Sequence, residues 1–147
     1  MKFFGSLDTS ASGLTAQRLR LDVIADNLAN VNTTRGKGDA PYRKKSVVLA
    51  ERSRATSFAW LMSRLPIAGT GAGVRAVGVV EDTSPGKRKY EPGHPDADEE
   101  GFVEYPNVDP VIEMVDMISA SRAYEANVTA INTFKRMVQK ALEIGRG

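Results

Sequence analysis

Residues 106–147 read PNVDPVIEMVDMISASRAYEANVTAINTFKRMVQKALEIGRG, and the fold turns on reading them as one long helix. Asp109 can accept hydrogen bonds from the first free amides, and Pro110 suits the first helical position, where a missing N–H costs nothing. From Val111 apolar residues recur at three- and four-residue steps, through Met114, Val115, Ile118, Tyr124, Val128, Ile131, Phe134, Val138 and Leu142, and Gly145 supplies a stop. At 1.5 Å per residue, Pro110 to Ile144 spans about 50 Å, longer than a small domain is wide, so this helix needs a partner of similar length. Ser119, Ala120, Ser121, Ala123, Ala126 and Ala130 are small and let another backbone come close.

The partner is sought at the other end of the chain. Ser6 is placed to cap a helix that begins near Leu7. Leu7, Leu14, Leu21 and Leu28 fall seven apart, Ala11, Ile24, Ala25 and Val31 fill the same side, and Gln17 and Arg18 weaken the middle. By pattern alone this is either a surface helix of a globular bundle or one strand of a helical pair completed by the C-terminal helix. In the second case everything between the helices leaves and returns at one end of the pair. The predicted fold is mainly α: long N- and C-terminal helices paired as a coiled-coil-like hairpin, with a small, partly β middle domain. The expected divisions are 1–35 and 106–147 for the terminal helical domain and 36–105 for the middle domain.

Composition limits what such a chain can be. An aromatic share of 7% with a single Trp60 builds no large core in 147 residues, so stability is expected to lean on neighbours. Without cysteine there is neither a disulfide nor a thiolate metal site. The net charge of +2 conceals a basic first third, but its densest cluster, Arg43-Lys44-Lys45, has only Tyr42 beside it and belongs to no nucleic-acid-binding motif, so no nucleic acid is expected as partner. No stretch reaches the roughly 18 apolar residues of a membrane span, so direct membrane insertion is not expected. The N-terminus shows no cleaved secretory signal, so any export would use another route.

In the middle, Tyr42–Ala50 and Val74–Val80 read as strands, with a short helix around Phe58 to Leu65 between them. Gly69-Thr70-Gly71-Ala72-Gly73 lacks the lysine and hydroxyl of a phosphate-binding loop and reads as a linker. Asp96, Asp98 and Glu100 before Gly101 imitate half a calcium loop. Asn107 stands where the bidentate glutamate belongs, and Pro95 and Pro106 deny flanking helices, so a solvated acidic turn is expected. His94, the only histidine, has no second histidine or cysteine to share a zinc and no motif serine to serve as base. No catalytic residue, cofactor or metal site is therefore assigned. A metal-dependent enzyme would have to rest on His94 and Asp96.

Several stretches also form familiar words. Leu21–Thr33, LDVIADNLANVNT, resembles the N-terminal signature shared by axial proteins of the bacterial flagellum, with Asp26 where asparagine is common. Glu113–Asn127, EMVDMISASRAYEAN, with ALEIG at 141–145, resembles their C-terminal signature. Tyr90–Asp98, YEPGHPDAD, leading to YPNV at 105–108, is similar to a segment of proximal-rod members of that family, as are Ser6–Arg18 and Pro41–Lys45. The resemblance covers roughly two thirds of the chain; Arg52 to Gly73 carries no family pattern.

The resemblance implies a structural subunit of the proximal rod in the flagellar basal body, which transmits torque across the periplasm. It implies export through the flagellum's own type III apparatus and helical stacking in which the terminal helices line the channel. Its implied partners are copies of itself, other rod proteins, the export apparatus and an adapter at the base of the rod. Alternatives are another rod subunit of the same family or a free-standing helical adaptor. In the rod reading, apolar stripes incompletely covered within the chain are covered by neighbours. The candidate interface residues are Leu7, Leu14, Leu21, Ile24, Leu28 and Val31 in the first helix, and Val115, Ile118, Tyr124, Val128, Ile131 and Val138 in the last.

Overall fold

A computed structural model describes residues 3–36, 40–52 and 73–145. The order of elements is helix α1 (Phe3–Ala29), strands β1 (Lys45–Glu51), β2 (Val74–Glu81), β3 (Lys87–Tyr90) and β4 (Phe102–Tyr105), and helix α2 (Pro110–Ile144). The short helix expected around Phe58 to Leu65 and the glycines at 69 and 71 lie outside the described residues.

α1 starts earlier than expected. Ser6 sits inside the helix rather than capping it, because residues 3–5 hold no proline and the one glycine costs only about 1 kcal/mol. Hydroxyls that could have ended the helix are satisfied within it: Thr9 donates to Gly5 O at 2.9 Å and Thr15 to Ala11 O at 3.1 Å. At the other end of the chain, Asp109 caps α2 as expected. Its carboxylate accepts from the amides of Val111 at 3.0 Å and Ile112 at 3.4 Å, with Pro110 next in line. These bonds hold the Asp109 carboxyl below its ordinary value.

α1 and α2 pack against each other and run antiparallel. Asn27 meets Glu113, Arg20 meets Asp116, and the α-carbon of Gly13 lies against the amide of Asn127. Small residues set the spacing: Ala16 and Ala120 are buried between the helices, as is Ile24. In this register Phe3 falls opposite about residue 137, so the last turns of α2 run past it, with Leu142 and Ile144 exposed.

The C-terminal helix carries two apolar stripes where the sequence suggests one. At about 100° per residue, Tyr124, Ile131 and Val138 share the direction of Glu113 and Ala120, toward α1. Val111, Val115 and Ile118 cluster within about 60° of each other on the opposite side. The six-residue step from Ile118 to Tyr124, across Ser119 to Ala123, is where the stripe changes face.

The middle of the chain folds as two antiparallel hairpins, β1–β2 and β3–β4. β1 begins at Lys45, three residues later than expected, because the residues before it spend their amides elsewhere. Tyr42 N donates to Thr33 O at 3.1 Å and Lys44 N to the Asn107 side chain at 2.9 Å. The first hairpin lies along α1. Lys45 is bonded to Asn27 and the far end reaches Ser12, whose hydroxyl accepts from Val74 N at 3.0 Å. Fifteen helical residues and seven extended ones both cover about 22 Å, so the two elements match in length.

The second hairpin had no clear sequence signal, since Lys87-Arg88-Lys89-Tyr90 shows no apolar alternation. Its partner β4 buries Val103 and leads through buried Pro106 and Val108 into α2. The chain thus leaves α1 and re-enters α2 at the same end of the helical pair.

Candidate assembly surface and the latch behind it

Asn27 is the hub of the described structure. Its side chain is 1% exposed and both faces of its amide are used. Oδ1 accepts from Lys45 N at 2.9 Å and from the Tyr42 hydroxyl at 2.9 Å; Nδ2 donates to Lys45 O at 2.8 Å and to Glu113 Oε2 at 3.0 Å. By meeting the N–H and C=O of one residue, the amide behaves as a strand neighbour for the start of β1. A carboxamide is the side chain that can do this, because it carries donor and acceptor side by side.

Glu113 is equally buried and is held by Lys44, whose Nζ lies 2.6 Å from Oε1. A buried carboxylate without such partners would be strongly destabilising, so Asn27, Lys44 and Glu113 stand or fall together. Around them, Lys45 Nζ bonds Asp26 at 3.1 Å and keeps that carboxyl below its ordinary range. Burial, reinforced by Asp26, pushes the Tyr42 phenol well above its ordinary value. Arg20 and Asp116, 3.1 Å apart but over a third exposed, add little. A groove of about 340 Å³ opens beside this cluster, walled by Val23 and Ile24 of α1, Val47 and Leu49 of β1, and Glu113 and Asp116 of α2.

The predicted interface residues divide into three groups. Ile24 is buried inside the helical pair. Leu7, Leu14, Leu21, Leu28 and Val31, together with Tyr124, Val128, Ile131 and Val138, are half-buried. Val115 and Ile118 are uncovered, at 62% and 55% exposure. With Val111, Ile112 and Met114, also about half exposed or more, they form an apolar strip at the start of α2 that turns away from α1. Isolated exposed apolar residues are ordinary, but five within eight consecutive positions form a contiguous apolar patch.

Two carboxylates of the acidic turn, Asp96 and Asp98, are engaged by groups of the chain itself. Asp96 receives the Thr34 hydroxyl at 2.7 Å and Arg35 at 2.9 Å. Asp98 accepts from the amides of Glu100 and Phe102 and from Arg88, and its carboxyl is held low chiefly by the Phe102 amide. His94 Nδ1 accepts from Asp96 N at 3.1 Å, placing the ring in the turn. Among the described residues no group of three or more His, Asp or Glu converges as a metal site would require.

Asn27 and Glu113 were not among the predicted site residues. On pattern alone asparagines near a helix end read as fraying, and a glutamate in the first turn as a dipole-favoured surface charge. The available signal was their presence in the two stretches that resemble a terminal signature, Leu21–Thr33 and Glu113–Asn127.

Both stretches lie within regions that match known protein families. Residues 7–37 match the family described as flagella basal body rod protein. Residues 99–144 match the family described as flagellar basal body rod FlgEFG protein C-terminal. The chain is 48% identical over 154 residues to the flagellar basal-body rod protein FlgC of Borreliella burgdorferi, covering 100% of both chains. It is 50% identical over 152 residues to FlgC of Bacillus subtilis, covering 99% of this chain and 100% of that one. Against FlgC of Escherichia coli O6:H1 the identity is 44% over 146 residues, with 99% and 100% covered.

Proposed function

Because the chain belongs to the FlgC family of flagellar basal-body rod proteins, and is a structural rod subunit rather than an enzyme, we propose that its terminal helices form its contacts with neighbouring subunits. Assembly with other rod subunits follows from the family. In this reading the neighbours include copies of the chain itself, and the strip from Val111 to Ile118 is the surface they cover.

The observation that carries this reading is the outward stripe of α2. Five large apolar side chains, 48% to 65% exposed, stand on a helix whose inner face is already occupied by α1. Burying them is worth about 25 cal/mol per Å². A contact that one subunit makes with its strip and the next with a different surface does not close, so it can repeat along a rod. The helical pair, held together in part by the second stripe of α2, would form the inner wall that lines the channel for export.

Torque transmission is assigned to the latch at Asn27, Lys44 and Glu113. It fastens the first hairpin and both helices at one point, so load on the outer part passes to the helical pair. The division at 36 and 105 follows the same logic, since the chain leaves and rejoins the pair there. Contact with the export apparatus and with an adapter at the base of the rod is part of the same proposal.

The test is Ile118→Asp, with Val115→Asp as a second variant, in a strain lacking the wild-type chain. Both sites are exposed within the subunit, so circular dichroism should match the parent while the subunit is missing from isolated basal bodies and motility is lost. Normal motility with both variants would overturn the assignment of the strip.

A further inference from the structure

Among the described residues the β1–β2 hairpin has one open edge. β1 faces α2 across the groove walled by Val47, Leu49, Glu113 and Asp116, so β2 is the outer strand. Among the described residues β2 has a strand on one side only. From Arg75 to Glu81 every residue is exposed, and Val77, Val79 and Val80 remain 60%, 45% and 55% accessible. An exposed apolar edge of this length is a template for another strand, and a two-stranded ribbon is weak without one.

The sequence of β2 specifies what that strand is. VRAVGVVE is nearly symmetric about Gly78. Antiparallel pairing with a second β2 centred there sets Val77 opposite Val79, Ala76 opposite Val80 and Arg75 opposite Glu81, each twice. The two charges are available for this. Within the hairpin Arg75 faces Ala50, and Glu81 faces Lys45, whose ammonium is turned to Asp26. Among the described residues neither Arg75 nor Glu81 has an ion-pair partner. Gly78 stands beside the bulge at Val77, and no neighbouring atom of the chain requires it to lack a side chain. Its φ is not positive, and a Cβ there would meet nothing within 4 Å. A glycine in mid-strand accompanies a bulge or the close approach of another backbone, and the open space at Gly78 leaves room for the second. The bulge that leaves Val77 without a partner in β1 falls at equal distance from the axis in both copies, so both edges bend alike.

We propose that a second copy of this chain adds its β2 antiparallel to this edge, about a two-fold axis through Gly78, giving a four-stranded sheet. Such a contact is isologous and closed. It is therefore distinct from the open contact assigned to α2 and does not rest on it; it covers the edge in the free subunit.

Sedimentation velocity of the full chain over a dilution series tests this. The expected result is a dimer that dissociates on dilution. Arg75→Glu and Glu81→Arg each place like charges opposite one another twice and should weaken the dimer by about tenfold. An equal mixture of the two variants restores both opposite-charge pairs and should dimerise as the parent does. A parent that stays monomeric throughout, variants that dimerise unchanged, or a mixture no tighter than its components would each overturn the proposal. Ile118→Asp should leave the dimer intact; if it dissolves the dimer, the contact belongs to α2 and the proposal fails, whatever happens in the rod.

Discussion

Replacing Asn27 by alanine removes four hydrogen bonds at a site 1% exposed. A net contribution of about 1 kcal/mol each would make the loss about 4 kcal/mol. Two effects adjust this in opposite directions. Water can reach the half-buried Lys45 backbone and recover part of the loss, while Glu113 loses a donor inside the helical pair and adds a desolvation penalty. The expected cost is about 3–4 kcal/mol, a large share of the ~5–15 kcal/mol that holds most domains folded. Asn30→Ala serves as control. Its amide donates to Asp26, one turn back and exposed, and accepts from the Thr33 hydroxyl; these are local bonds that water can replace, so the loss should be about 1 kcal/mol. Urea unfolding followed by circular dichroism measures both, and hydrogen exchange should show the Lys45 amide opening faster in Asn27→Ala. Combining Asn27→Ala with Glu113→Leu should cost less than the sum of the two, with about 1–2 kcal/mol of coupling, because the side chains share a bond. The reasoning is refuted if Asn27→Ala costs no more than Asn30→Ala, or if the double variant is simply additive.

The remaining predictions concern the hairpin seam and acid stability. Gly73 has φ of +101°, and a Cβ there would lie 2.2 Å from the Ser12 hydroxyl, so Gly73→Ala should destabilise by about 1–3 kcal/mol. Ser12→Gly carries its own cost, because it removes the acceptor of Val74 N and places glycine in α1, so against a Ser12→Gly background Gly73→Ala should lose only the backbone part, as thermal melts would show. On the acid side, Asp26, Asp98 and Asp109 have carboxyls held below the ordinary 3.8, and Glu91, bonded by Lys89 and Tyr105, below 4.5. Groups with depressed values stabilise the fold above the unfolded pKa, and that contribution is lost as pH falls through the folded one. Melting temperatures should therefore hold from neutral pH to about 5 and fall as pH drops below about 4, less steeply in Asp26→Asn.

How much of this could be read from residues alone differs by element. The terminal helices were legible because their signals are local. Asp109 before Pro110 announces a start, and an uninterrupted three- and four-residue spacing announces length. β2 was legible from its valines. β3 was not, since Lys87, Arg88 and Lys89 owe their extended form to pairing with Phe102 to Tyr105 across a turn built on Asp98. The start of α1 was misplaced because a serine can cap a helix or lie within it, and residues 3–5 permit the helix to run on without requiring it. The chemistry of the acidic turn was only half legible. Its carboxylates are plain in the sequence, while their partners, Thr34, Arg35 and Arg88, come from other parts of the chain.

What the sequence determined by itself was a pair of long helices at the chain ends, a small β-containing middle, and the terminal stretches that resemble flagellar axial proteins. Each depends on spacing along the chain, which needs no knowledge of what is folded against it. Tertiary structure decided which way the stripes of α2 face, because direction has meaning only once α1 is in place and the shift between Ile118 and Tyr124 becomes a change of side. It also decided that Asn27 and Glu113, 86 positions apart, form one buried joint rather than two surface residues. A hydrogen bond between distant positions leaves no periodic trace, and it appears only when the helices bring its two ends within 3.0 Å.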